Sequence, residues 1–163
     1  MTGSEPGRPG AFETIVYGGL VVGVLDFLDA SIFFTQYFGI ELPSVWHGVS
    51  AGLLGPKAAS EGGWPTAILG IFLHFVVAFG VAAVYYLGTR LLPVMIKWWF
   101  VFAPLYGLAV YFIMQNVVIP LSAAGGGSST FRLAVFLNGI IGHMILVGLP
   151  VAYIANWSAT RRR

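Results

Sequence analysis

Two carboxylates, Asp26 and Asp29, stand in a stretch that carries no other charge between Glu13 and Glu41. On a helix, a spacing of three places both on one face. Carboxylates in apolar surroundings can exchange protons, hold a cation or ligate a metal. Two imidazoles in similar runs could join them, His74 and His143, together with the neutral polar side chains Tyr111, Gln115, Asn116 and Asn138. Three chemistries are open to this set. The groups can hydrogen-bond across helices and fix their register. They can line a cavity in which the carboxylates accept protons and the imidazoles relay them or touch a ligand. They can also ligate a metal, but the chain has no Cys and no H-x-x-x-H or E-x-x-H spacing, so every ligand would come from a separate segment. Haem ligation by His74 and His143 would rest on two residues alone. No metal and no cofactor is therefore expected.

Catalytic patterns are missing. There is no Gly-x-Ser-x-Gly elbow and no phosphate-binding glycine loop. Ser31 lies near Asp29, yet nothing in the order of residues makes a Ser–His–Asp set, and Ser44, Ser50 and Ser60 read as solvated loop residues. The expectation is a non-enzymatic protein with no catalytic residue.

What must position these groups follows from the charges. The chain has 163 residues, of which 8 are Lys or Arg and 6 are Asp or Glu. That is 9 % of the chain, against about 25 % in a soluble domain. With 58 % apolar residues, the class is integral membrane protein, not a soluble domain, a coiled coil or a disordered chain. The few basic residues form no patch interleaved with aromatics, so nucleic acid is not an expected partner; the lipid bilayer is. Crossing about 30 Å of hydrocarbon takes about 20 residues of helix. The charge-free intervals each fit one crossing, which predicts helices near 14–39, 65–90, 97–119 and 131–157. Strands are disfavoured, because period-2 alternation is absent. Pro65 suits a first turn, Pro93 and Pro120 suit helix ends, and Pro104 and Pro150 should kink helices three and four. A proline- and glycine-rich leader makes 1–13 a disordered tail, and 158–163 a basic tail.

Orientation follows the basic residues. Arg8, Arg90, Lys97 and Arg161, Arg162 and Arg163 fall on one side, Lys57 and Arg132 on the other. Both termini are then cytoplasmic, with Trp98, Trp99 and Trp157 at that interface and Trp46 and Trp64 at the opposite one. In the first outward loop, Val45, Val49 and Leu53 recur at helical spacing up to Gly55-Pro56, which predicts a short helix lying in or dipping into the interface. The second, Ser122–Thr130, is glycine-rich and should be mobile.

Helix rise places Asp29, His74, Tyr111 and Asn138 roughly 10–15 Å from the outward ends, and Asp26 and His143 roughly 18–20 Å. All four helices thus contribute to one polar layer in the outward half, while the inward half lacks one. Small residues set the contact lines, Gly19 with Gly23, Ala78 with Ala82, Ala103 with Gly107, and Gly139 with Gly142. These serve the bundle or a homo-oligomer face. A weak repeat pairs Tyr17-Gly18 with Tyr106-Gly107, aligns Asp26 with Gln115, and pairs His74 with His143.

Gly-Val-Leu-Asp at 23–26, Ser-Ala-Gly-Leu-Leu-Gly at 50–55, Leu-His-Phe at 73–75, Val-Val-Ile-Pro-Leu-Ser at 117–122 and Asn-Gly-Ile-Ile-Gly-His at 138–143 resemble a group of small uncharacterised bacterial inner-membrane proteins. The closing Gly-His and the helix-two His are also similar to the YagU family. The resemblance spans about 14–157 and implies four helices in a bacterial plasma membrane; it brings no catalytic residues. The resulting expectation is an all-α four-helix transmembrane bundle of a non-enzymatic integral plasma-membrane protein of unassigned role, with two alternatives: a small-molecule or proton-handling transporter-like protein using its polar layer, or an accessory subunit docked on a larger respiratory or other membrane complex.

Overall fold

The computed structural model describes residues 7–125 and 131–161. Most of the glycine-rich loop, part of the leader and Arg162 and Arg163 lie outside the described residues. Among the described residues every regular element is a helix. Four are long and apolar enough to cross a membrane: α1 (Glu13–Phe38), α4 (Gly63–Leu91), α6 (Trp99–Leu121) and α7 (Leu133–Arg161). Shorter helices connect them, α2 (Leu42–Leu54) and α3 (Pro56–Glu61) before α4, and α5 (Val94–Lys97) before α6. The chain is a multi-pass membrane protein with an all-α, four-helix transmembrane architecture, and the expected spans agree with the observed ones to within a few residues.

Close packing comes from the small residues. A Cβ at Gly19 or Gly23 would run into Phe79 or Phe75 of α4, one at Gly107 into the backbone of His143, and one at Gly148 into the Ala103 carbonyl. Ala78, Ala82, Ala103, Ala152, Ala155 and Ala159 are buried with them. All of the expected small-residue lines therefore serve contacts inside this chain. In lipid there is no hydrophobic drive between helices, so this backbone approach, with its dispersion contacts, holds the bundle together.

The core lies toward the end that carries both termini, where Tyr85, Met95, Ile96, Val151 and Ala155 pack together. That end also holds polar contacts. The Tyr106 hydroxyl donates to Val81 O (2.6 Å), Asn156 Nδ2 to Ile96 O (2.9 Å) and Gly10 N to Ser158 Oγ (2.8 Å). The sequence reading gave this half no polar layer; single hydroxyls and amides answered by backbone groups leave no cluster in the sequence. Pro9 and Gly10 are buried here and helix begins at Ala11, so the leader is held against the bundle from about Pro9 onward.

The prolines act through wider turns. Met114–Val118 and His143–Gly148 are π-helical and precede Pro120 and Pro150. A proline cannot bond the carbonyl four residues back and its ring crowds that carbonyl; a widened turn relieves both.

At the far end α1 stops at Gly39, whose φ of 65° suits glycine. The expected interfacial helix is α2, and it docks on α4 where Gly70 lets the Trp46 carbonyl approach its backbone. Gly55, at φ 81°, separates α2 from α3; α3 falls in a stretch expected as loop. His47 Nε2 donates to Gly63 O (2.8 Å), Thr66 Oγ1 to Ala59 O (2.7 Å) and Ala123 N to Gly52 O (2.9 Å). Together these bonds tie α2 and α3 over the outer half of the bundle. Two expectations change as a result. Ser50 is buried against α4, not solvated, and Trp46 is 2 % exposed, not part of an interfacial belt. A flat indole fills the gap between α1 and α4 that a smaller residue would leave open.

Candidate functional site

Beneath Trp46, α1 and α4 bring Asp26 and His74 together. His74 Nε2 lies 2.9 Å from the Gly23 carbonyl. A carbonyl oxygen only accepts, so Nε2 carries the proton. The other ring nitrogen, Nδ1, faces Asp26 Oδ2 at 3.9 Å. That gap is too long for a direct hydrogen bond and short enough for one water or a small donor to bridge. The Trp46 ring stands edge-on to His74 with centroids 5.2 Å apart, and its other neighbour is Phe27, stacked at 4.6 Å.

His143 arrives from α7. Its Nδ1 lies 2.8 Å from Gly139 O, one turn back on its own helix, so Nδ1 is the donor and Nε2 remains as an acceptor. The ring is edge-on to Tyr111 at 5.5 Å. The π turn that begins at His143 lets this residue and Val147 line one space while Gly148 packs on Ala103.

Asp26, His74 and His143 line a single cavity of about 70 Å³ whose other walls include Val22, Val110, Val147 and Met114. That is room for several waters, since about 10–15 Å³ of such space admits one. Every polar nitrogen or oxygen presented by these three side chains beyond their backbone bonds is an acceptor when the imidazoles are neutral. Among the described residues no three His, Asp or Glu converge as a metal ion requires. The arrangement can hold water, a proton or a donor-bearing group.

The other sequence candidates divide. Asp29, one turn farther out on α1, accepts from Asn138 Nδ2 at 2.9 Å, with Gly142 making room beside it. It does not line the cavity, but it lies within electrostatic reach of Asp26 and His143. Tyr111 is buried against Gly139 and touches His143 through its ring. Gln115 and Asn116 are exposed, and Asn116 donates to Phe112 O on its own helix (2.8 Å). Gln115 thus has a different environment from Asp26, its partner in the weak repeat. Sequence reasoning missed Trp46 and Met114 as neighbours of the site. Trp46 reaches it from a connecting segment, and Met114 is one apolar residue among many.

No protein-family model matches the chain, and no curated protein or solved structure shows significant similarity to it.

Proposed function

We propose that the chain is a non-enzymatic, transporter-like protein of a bacterial plasma membrane, and that its Asp26–His74–His143 cavity takes up and releases protons. The observation that carries this reading is the single valine-walled cavity shared by one carboxylate and two imidazoles from three spans. Ionisable groups inside a membrane are costly, and they pair with one another where function requires them. A structural role alone would be satisfied by pairs such as Asp29 with Asn138, which are joined by a direct hydrogen bond. Here the His74 and Asp26 groups stop short of each other.

Trp46 supplies the test, because its ring lies against His74 and a protonated imidazole quenches indole emission. With the other four tryptophans changed to Phe, emission of the full chain in lipid nanodiscs is expected to fall on acidification. His74→Gln should abolish the transition and Asp26→Asn should move it, while Asp29→Asn should leave it in place. Emission that ignores pH, or a transition that survives His74→Gln, contradicts the proposal.

The bacterial location rests on the resemblance of the motifs, and cytoplasmic termini on the excess of Arg and Lys at that end. A reporter active only in the cytoplasm, fused to the carboxyl terminus, is expected to be active; external activity reverses the topology.

A further inference from the structure

The cavity adjoins a second space on the side of α4 and α6. An apolar groove of about 310 Å³ runs between α4 and α6 past Gly80, Val84, Ala109, Ile113 and Val118. It shares Val77, Val81, Val110 and Met114 with the cavity, so the same side chains wall both spaces. Val84, Ile113 and Val118 are among the exposed apolar residues on this face. At the groove's inner end α4 and α6 are joined by the Tyr106 hydroxyl on Val81 O and by the Tyr85–Tyr106 ring contact at 4.9 Å. Toward the far end the two helices leave the groove open, whereas Trp46 and α2 cover the side above His74. Groove and cavity are thus neighbours across one set of side chains.

The chemistry of the cavity selects what such an occupant must carry. Asp26 offers a carboxylate, His74 offers Nδ1 and His143 offers Nε2, because each ring has given its N–H to a backbone carbonyl. Asp26 Oδ2 and His74 Nδ1, 3.9 Å apart, are two acceptors with one negative charge that a single primary ammonium can meet with two of its three donors, and His143 lines the same cavity. A carboxylate head would be repelled by Asp26 and has no donor to meet. A trimethylammonium head has the charge but no N–H, and it is bulky for about 70 Å³. The groove is of a size that takes a hydrocarbon chain.

We propose that the molecule binds a single-tailed primary alkylammonium from the bilayer, its head in the Asp26–His74–His143 cavity and its chain in the groove between α4 and α6. This rests on the reading of the cavity as a proton-exchanging site and names its substrate class, a lipophilic amine that would compete with the proton for the same acceptors.

The test uses the full chain in phosphatidylcholine nanodiscs with radiolabelled dodecylammonium, and empty discs to subtract partition into lipid. Saturable binding near one per chain is expected, with dodecanoate no better than in empty discs and dodecyltrimethylammonium weaker than dodecylammonium. Asp26→Asn should weaken binding roughly tenfold or more, as loss of a charge-assisted hydrogen bond does. Gly80→Leu should weaken it by a similar factor, and a Cβ at Gly80 meets nothing within 4 Å, so that variant tests the groove without disturbing the bundle. Binding equal to that of empty discs, binding matched by dodecanoate, or binding left unchanged by either variant overturns the proposal. If the pH-dependent emission of Trp46 persists while dodecylammonium fails to bind, only this inference falls; if both are lost, the reading beneath it falls too.

Discussion

At the scale of single residues, the decisive feature is which nitrogen of each imidazole is occupied. His74 bonds backward to α1 through Nε2 and His143 bonds within α7 through Nδ1. Both rings are therefore oriented by backbone carbonyls, and each turns a lone pair toward the shared space when neutral. Depth along a helix is legible in the sequence, because rise per residue is fixed. That is why the sequence brings all these groups into one broad layer, although depth alone sets His74 level with Asp29 rather than with Asp26, its neighbour in the structure. Azimuth is less legible. The π turn at Met114–Val118 changes the helical phase under Gln115 and Asn116, and Asn116 can face outward because its amide is satisfied by Phe112 O. Asp29 shows the same limit. It shares the face of Asp26 but meets Asn138 outside the cavity, so the expected insensitivity of the Trp46 transition to Asp29→Asn separates the two carboxylates functionally.

At the scale of elements, charge spacing was enough to find the four spans, since a charge inside lipid is penalised and each interval fits one crossing. The connecting helices were only half legible. α2 carries a helical apolar period, whereas α3 has six residues, too few for a period to appear. What pins α2 is a backbone-to-backbone approach at Gly70, and no pattern of side chains announces that. This gives a paired expectation. Gly70→Val forces a side chain against the Trp46 carbonyl and should cost about 1–3 kcal/mol, whereas Gly80→Val points into open space and should be nearly neutral. Thermal unfolding of the two variants in detergent measures the difference. Equal midpoints would mean that α2 does not depend on that approach.

At the scale of the whole molecule, packing is asymmetric. The end with both termini is filled by alanines, Tyr85 and Val151, the cavity and the groove lie about midway along the spans, and α2 and α3 cover the far end. Proton exchange in the cavity requires Asp26, His74 and His143 to behave as one coupled set. Side-chain nitrogen NMR of ¹⁵N-histidine-labelled full chain in nanodiscs tests that most directly, with only 3 His to resolve. The expected result is neutral His74 protonated at Nε2, neutral His143 protonated at Nδ1, and ring-nitrogen signals of both that change in Asp26→Asn while those of His47 do not. Opposite tautomers, or His74 and His143 signals that are the same with and without the Asp26 carboxylate, would contradict it.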